Sequence, residues 1–145
     1  MSSWPMTVTR WLWHWPLSHM NTNTALLYLG LLLIKHSIAD LMMQGRIPGG
    51  DTAKLPLISY KNWVHSWDHA LLGLIVSIPF AGLELAVLLC LAEFACHYAI
   101  DHAKSRIRFS MHWTTADRSF WHLQGVDQIA HTVWYLFMAY SVANS

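Results

Sequence analysis

One stretch limits what this chain can become more than any other. The apolar run from Leu83 to Ala92 ends in Glu93, His97 and Asp101, each four residues from the last. On a helix that spacing stacks the three side chains on one face. With its tail the run is long enough to cross a bilayer. Ionisable groups inside a membrane helix are costly, face protein or a wet cavity, and mark function. Three more apolar runs carry a pair of this kind: His36/Asp40, His65/His69 and Asp127/His131. The expected fold is an all-α, integral membrane four-helix bundle that brings the pairs together.

Composition agrees. A chain of 145 residues that is 54% hydrophobic and 12% charged is one domain, too apolar for an ordinary soluble one. Nine Trp suit a membrane interface, where an amphipathic ring is half wet. The net charge of +1, with no basic patch interleaved with aromatics, gives no reason to expect a nucleic-acid partner. Cys90 and Cys96 sit six apart in one expected helix, poor geometry for a mutual disulfide, and read as small core residues.

The chain divides into two parts. Residues 1–23, with Trp4, Trp11, Trp13 and Trp15, are expected to form a Trp-rich segment lying at the membrane surface. Residues 24–145 are expected to form the membrane domain, with spans at about 24–44, 63–81, 83–104 and 126–143. Pro79 and Gly82 predict a tight hairpin between the second and third spans. Gly45, Pro48, Gly49, Gly50 and Pro56 predict a loop after the first. A second loop over 105–125 is expected to include a surface-lying piece around Phe109, Trp113 and Trp121. Two helical hairpins result, and the shared His-x-x-x-Asp of His36/Asp40 and His97/Asp101 gives them a faint internal repeat.

The loops after spans one and three carry Arg46, Lys54, Lys61, Lys104, Arg106, Arg108 and Arg118. Positive loops stay cytoplasmic, so both termini are expected outside. Up-down threading then places all four polar pairs at the cytoplasmic face. Inward ligands from facing helices are the logic of metal sites in helical bundles. His36, Asp40, His65, His69, His97, Asp101 and His131 are the expected ligands, with Gln44 and Gln128 placed to orient them. His and carboxylate suit a divalent ion, Zn first and Mn or Fe next, and the number of candidates allows one ion or two. Glu93 or Asp127 could act as general base, and Lys104 could hold a phosphate or stabilise an oxyanion.

The order His36-x-x-x-Asp40-x-x-x-Gln44, His65-x-x-x-His69, His97-x-x-Ile100-Asp101-x-x-Lys104 and Asp127-Gln128-x-x-His131 resembles a family of small bacterial and phage membrane proteins, domain-of-unknown-function family 3307. The resemblance covers about Leu26 to Tyr140. It implies a multi-pass protein of the bacterial inner membrane and no established activity. In style the pattern is also similar to membrane-bound metal-dependent hydrolases, a looser analogy.

Three functions fit these residues. The first is a metal-dependent hydrolase acting on a lipid or lipid-linked phosphate or ester at the cytoplasmic leaflet. The second is a proton or ion conduit, against which the apolar outer halves of the spans argue. The third is a non-enzymatic, phage-type protein that binds a host membrane partner through its aromatic N-terminus. Beside all three stands a purely structural role, a polar network joining the helices. His14, His19, His102, His112 and His122 are assigned to such structural, interface or loop positions. Asp68 is read as a helix-start acid facing headgroups, and Lys35 as snorkelling or pairing with a carboxylate.

Overall fold

The structure, a computed structural model, describes residues 22–49 and 51–145, so the Trp-rich segment lies outside the described residues apart from its last two positions. Among the described residues there are three α-helices and no strand: α1 (Thr22–Ile38), α2 (Tyr60–Ser110) and α3 (Arg118–Ala143). Six leucines (Leu26, Leu27, Leu29, Leu31, Leu32 and Leu33), strong helix formers, carry α1 through Gly30. After Ile38 its ladder loosens into a π turn, Ala39–Met43, and then a 3₁₀ turn, Gln44–Arg46. Such turns inside or at the end of α-helices are frequent at functional sites. Here the π turn carries Asp40. A further 3₁₀ turn, Asp51–Lys54, leads to Ser59, whose hydroxyl accepts from the Asn62 amide at 3.1 Å and caps α2.

α2 is not straight. Gly82 has φ 71° and ψ 171°, a backbone region essentially reserved for glycine. A straight helix would hold His69 and His97 about 40 Å apart at ~1.5 Å per residue. Their rings lie 3.7 Å apart, so α2 doubles back at Gly82 into two arms, 60–81 and 83–110. α1 and α3 pack against α2 and against each other.

The second loop differs from expectation. α2 runs on to Ser110 and α3 starts at Arg118, so Phe109 and Trp121 are helical and only Trp113 lies in the connection. No glycine or proline falls between Leu83 and Gln124, so nothing stops the helix early. The reversal comes at His112, with φ 54°. Asp117 fixes the connection by accepting from the Thr114 amide at 2.7 Å and its hydroxyl at 2.9 Å, which holds its carboxyl below the usual carboxylate range.

The distribution of polarity is the reverse of a water-soluble domain. Leu26, Ile34, Ile75, Leu91, Ile129 and Phe137 are exposed, whereas Lys35, His65, His69, Glu93, His97 and Asp101 are buried. Two helical stretches, Thr22–Arg46 and Tyr60–Ser110, are long and apolar enough to cross a membrane. The apolar core (Tyr28, Leu32, Leu89, Tyr135, Met138, Ala139 and Val142) is drawn from the middle of α1, the second arm of α2 and the last turns of α3. At the other end of these helices the interior is polar.

Candidate metal centre

The polar interior is built by the four-residue ladders foreseen in the sequence. Ligand atoms of Asp40, His65, His69 and His97 all lie within 4.8 Å of one another, and so do those of His97, Asp101 and His131. His97 belongs to both groups. The first group draws on the π turn and both arms of α2, the second on α2 and α3. Asp40 is the hub: its Oδ1 lies 3.2 Å from Nε2 of both His65 and His69. Its Oδ2 lies 3.2 Å from His36 Nε2. Asp101 Oδ2 lies 3.6 Å from His65 Nε2 and 3.9 Å from His97 Nε2.

The hydrogen bonds divide these histidines into two kinds. His131 holds Nδ1 2.9 Å from the Asp127 carbonyl, which fixes its tautomer and leaves Nε2 without a partner. Nδ1 of His65 and His69 is likewise unpartnered, and His97 is buried with neither ring nitrogen hydrogen-bonded. Buried polar atoms are ordinarily satisfied, so this concentration of orphaned nitrogens fits a site that binds a cation. His36 is different. Its Nδ1 lies 3.0 Å from the Tyr135 hydroxyl, and its Nε2 also approaches Gln128 Oε1 at 3.3 Å. Both of its nitrogens have protein partners, so His36 orients Asp40 from behind.

Three lysines balance the buried carboxylates. Lys54 pairs with Asp101. Lys104 pairs with Asp127 at 2.8 Å and lies 3.5 Å from Asp101. Lys35 pairs with Glu93, gives a hydrogen bond to the His69 carbonyl at 3.0 Å, and sits 4.7 Å over the Tyr135 ring. Glu93 therefore lies behind the histidines, outside both ligand groups. Its close approach to the first arm of α2 depends on Gly73, where a β-carbon would collide with the Glu93 carboxylate. Asp127 keeps one carboxylate oxygen, Oδ1, without a hydrogen-bond partner. Gln128 reaches both His36 and Asp127, whereas Gln44 lines a cleft outside the cluster.

Asp68 corrects its reading. It is buried and paired with Arg46, rather than facing headgroups, because the 3₁₀ turn after α1 brings that arginine across it. Lys35 takes the pairing alternative. Two participants carried no assigned role. Tyr135 continues the Asp127/His131 ladder by one more turn, so the four-residue spacing was a usable signal. Lys54 lies in a loop with no periodicity, and no local pattern points it at Asp101.

No curated protein and no solved structure matches the chain. A family model does, described as a protein of unknown function (DUF3307), and it spans residues 28–145, which hold all of the residues just described. A chain matched over that length, from the first turns of α1 to the end of α3, belongs to the DUF3307 family.

Proposed function

We propose that this protein is a four-span inner-membrane bundle, both termini extracytoplasmic, that binds a divalent metal and hydrolyses a lipid or lipid-linked phosphate or ester at the cytoplasmic leaflet. The membrane placement is supported by the exposed apolar faces and by the most apolar windows of the two long stretches, only 28% and 22% buried. The observation that carries the metal reading is His97, buried among Asp40, His65, His69 and His131 with both ring nitrogens unpartnered.

Asp40, His65, His69 and His97 would hold one ion; Asp101 and His131, sharing His97, offer a second position. Zn suits this nitrogen and oxygen set, as do Mn and Fe. A divalent ion there supplies Lewis acidity and brings the pKa of water close to neutral. The chain's own residues do the rest. His36 and Tyr135 aim Asp40, Lys54 and Lys104 pair with Asp101 and Asp127, and Asp127 Oδ1 is the acceptor for a proton. Glu93, bound to Lys35, serves to hold the helices together.

Elemental analysis of detergent-purified protein tests the reading. His97→Leu removes no hydrogen bond and nearly conserves volume, so the variant should fold and lose a metal that the wild type carries stoichiometrically. Wild-type protein that stays metal-free after Zn, Mn and Fe are supplied would overturn it. That result would favour the structural network, for which the three lysine–carboxylate pairs speak. A conduit is disfavoured by the apolar packing of Leu32, Leu89 and Met138. Partner binding rests on the Trp-rich segment, outside the described residues.

A further inference from the structure

The second arm of α2 and α3 leave a furrow between them. Two hollows lie there, of about 210 Å³ and about 310 Å³. Ile100 and Ala130 line both, so the two form one groove. Small side chains make room for it: Cys96, Ala99 and Ala103 on α2, and Ala130 on α3. Its margins are apolar and exposed, at Ile107, Val126, Val133 and Phe137. From Asp127 to Phe137 the groove follows α3 for ~15 Å, which is one leaflet's share of a hydrocarbon core ~30 Å thick. Its volume, spread over that length, is too narrow for a helix of ~10 Å diameter and fits a single hydrocarbon chain.

The groove is charged at one place. Asp127 and Lys104 line the portion nearer the α2–α3 connection, among apolar neighbours such as Ile107 and Leu123. Asp127 is only 4% exposed. Its Oδ2 accepts from Lys104 at 2.8 Å and from Gln128 at 3.3 Å. Its Oδ1 has no hydrogen-bond partner, the nearby His131 Nδ1 being 3.9 Å away. A buried carboxylate oxygen is ordinarily satisfied, so Oδ1 calls for a donor, which a lipid hydroxyl or a water molecule would supply. His131, one helical turn beyond Asp127, belongs to the His97/Asp101/His131 ligand group. The groove therefore runs past the metal cluster, and an unsatisfied acceptor stands where the two meet. A water-soluble substrate would have no use for ~15 Å of apolar furrow beside that acceptor.

We infer that this groove holds one acyl chain of a membrane lipid, whose polar linkage then lies beside Asp127 Oδ1 and the His97/Asp101/His131 group. The substrate thus enters sideways from the leaflet and not from water. The inference rests on the proposed function for the membrane placement and the chemistry that follows, but seating the chain does not require a metal. Lipid tails are as apolar as the groove, so hydrophobic transfer contributes little to binding. Shape, and the contact at Asp127, distinguish the seated lipid from its neighbours.

The test is photolabelling of the full chain in detergent with phosphatidylglycerol that carries a diazirine at the end of one acyl chain. The lipid is titrated in at low mole fraction, labelled peptides are read by mass spectrometry, and metal content is measured on the same samples. Labelling of residues 96–99 and 133–137 should saturate and should exceed that of the exposed face at Leu71, Ile75 and Ile78. Ala130→Phe, which fills the groove from α3, should lower groove labelling about threefold or more, because a filled furrow excludes the chain. Ile75→Phe, away from the groove, should leave it unchanged. Circular dichroism checks the helices; if Ala130→Phe loses them, Ala99→Phe, exposed on the opposite wall, replaces it. Labelling that rises in proportion to lipid on every exposed face, or that is equal in a folded groove variant, overturns the inference. An unlabelled groove overturns it too, and in a dimeric chain that result seats a second copy there. Saturable groove labelling of a chain that stays metal-free sustains the groove while the metal reading falls.

Discussion

The imidazole rings of His69 and His97 stack face to face, their centroids 3.7 Å apart and their planes 24° apart. One ring comes from each arm of α2, so the contact exists only because the helix doubles back at Gly82. The ligand cluster and the turn are thus one piece of architecture, although they lie at opposite ends of the arms.

Gly82→Ala should therefore weaken the site from a distance. A β-carbon there meets no atom within 4 Å, so crowding is not the cause. The strain is in the backbone, at φ 71° and ψ 171°, and should destabilise by ~1–3 kcal/mol. Thermal unfolding in detergent measures it, and an unchanged midpoint would contradict the turn.

Lys104→Ala should leave Asp127 and Asp101 short of a counter-charge. Removing one partner of a buried pair costs ~3–5 kcal/mol, and the 22% exposure of Lys104 places this case at or below the low end. Lys104→Ala/Asp127→Asn should recover part of the loss, because the stranded charge is then gone. A double-mutant cycle in thermal or denaturant unfolding reads the coupling, with metal content followed on the same samples.

Lys35 and Glu93 should show the same dependence more strongly, since both side chains are almost fully buried. Lys35→Met and Glu93→Gln are each expected to destabilise by ~3 kcal/mol or more, and the double variant to lie closer to wild type than either single one. Gly73→Ala should also destabilise, by forcing the Glu93 carboxylate away from the first arm. A double variant as unstable as the sum of the two singles would show that the pair is not coupled.

Tyr135→Phe separates positioning from ligation. It deletes the hydroxyl 3.0 Å from His36 Nδ1 and leaves every ligand atom in place. Loss of an outer partner of a metal site typically lowers affinity 10–100-fold, and a similar drop is expected in a metal titration. The fold should lose only about 1 kcal/mol. Unchanged affinity would remove the His36–Tyr135 pair from the description of the site.

The sequence by itself determined which residues share a face and what kind of face it is. Spacing of four is a property of the helix, so His36/Asp40, His65/His69, His97/Asp101 and Asp127/His131 were legible without any tertiary knowledge. Pro79 and Gly82 announced the turn, and the motif order announced the family. Tertiary structure decided the partners. Lys54 reaches Asp101 across 47 positions, Lys35 reaches Glu93 across 58, and Arg46 covers Asp68, because each pairing depends on how far a helix is rotated and where a loop crosses it. Periodicity fixes the relative angle of residues on one helix but not the angle of that helix to its neighbours, and a long lysine side chain can satisfy many angles. The backbone turn at Gly82 and the close approach at Gly73 set those rotations, and with them which histidines keep their nitrogens free and which, like His36, give theirs to the protein.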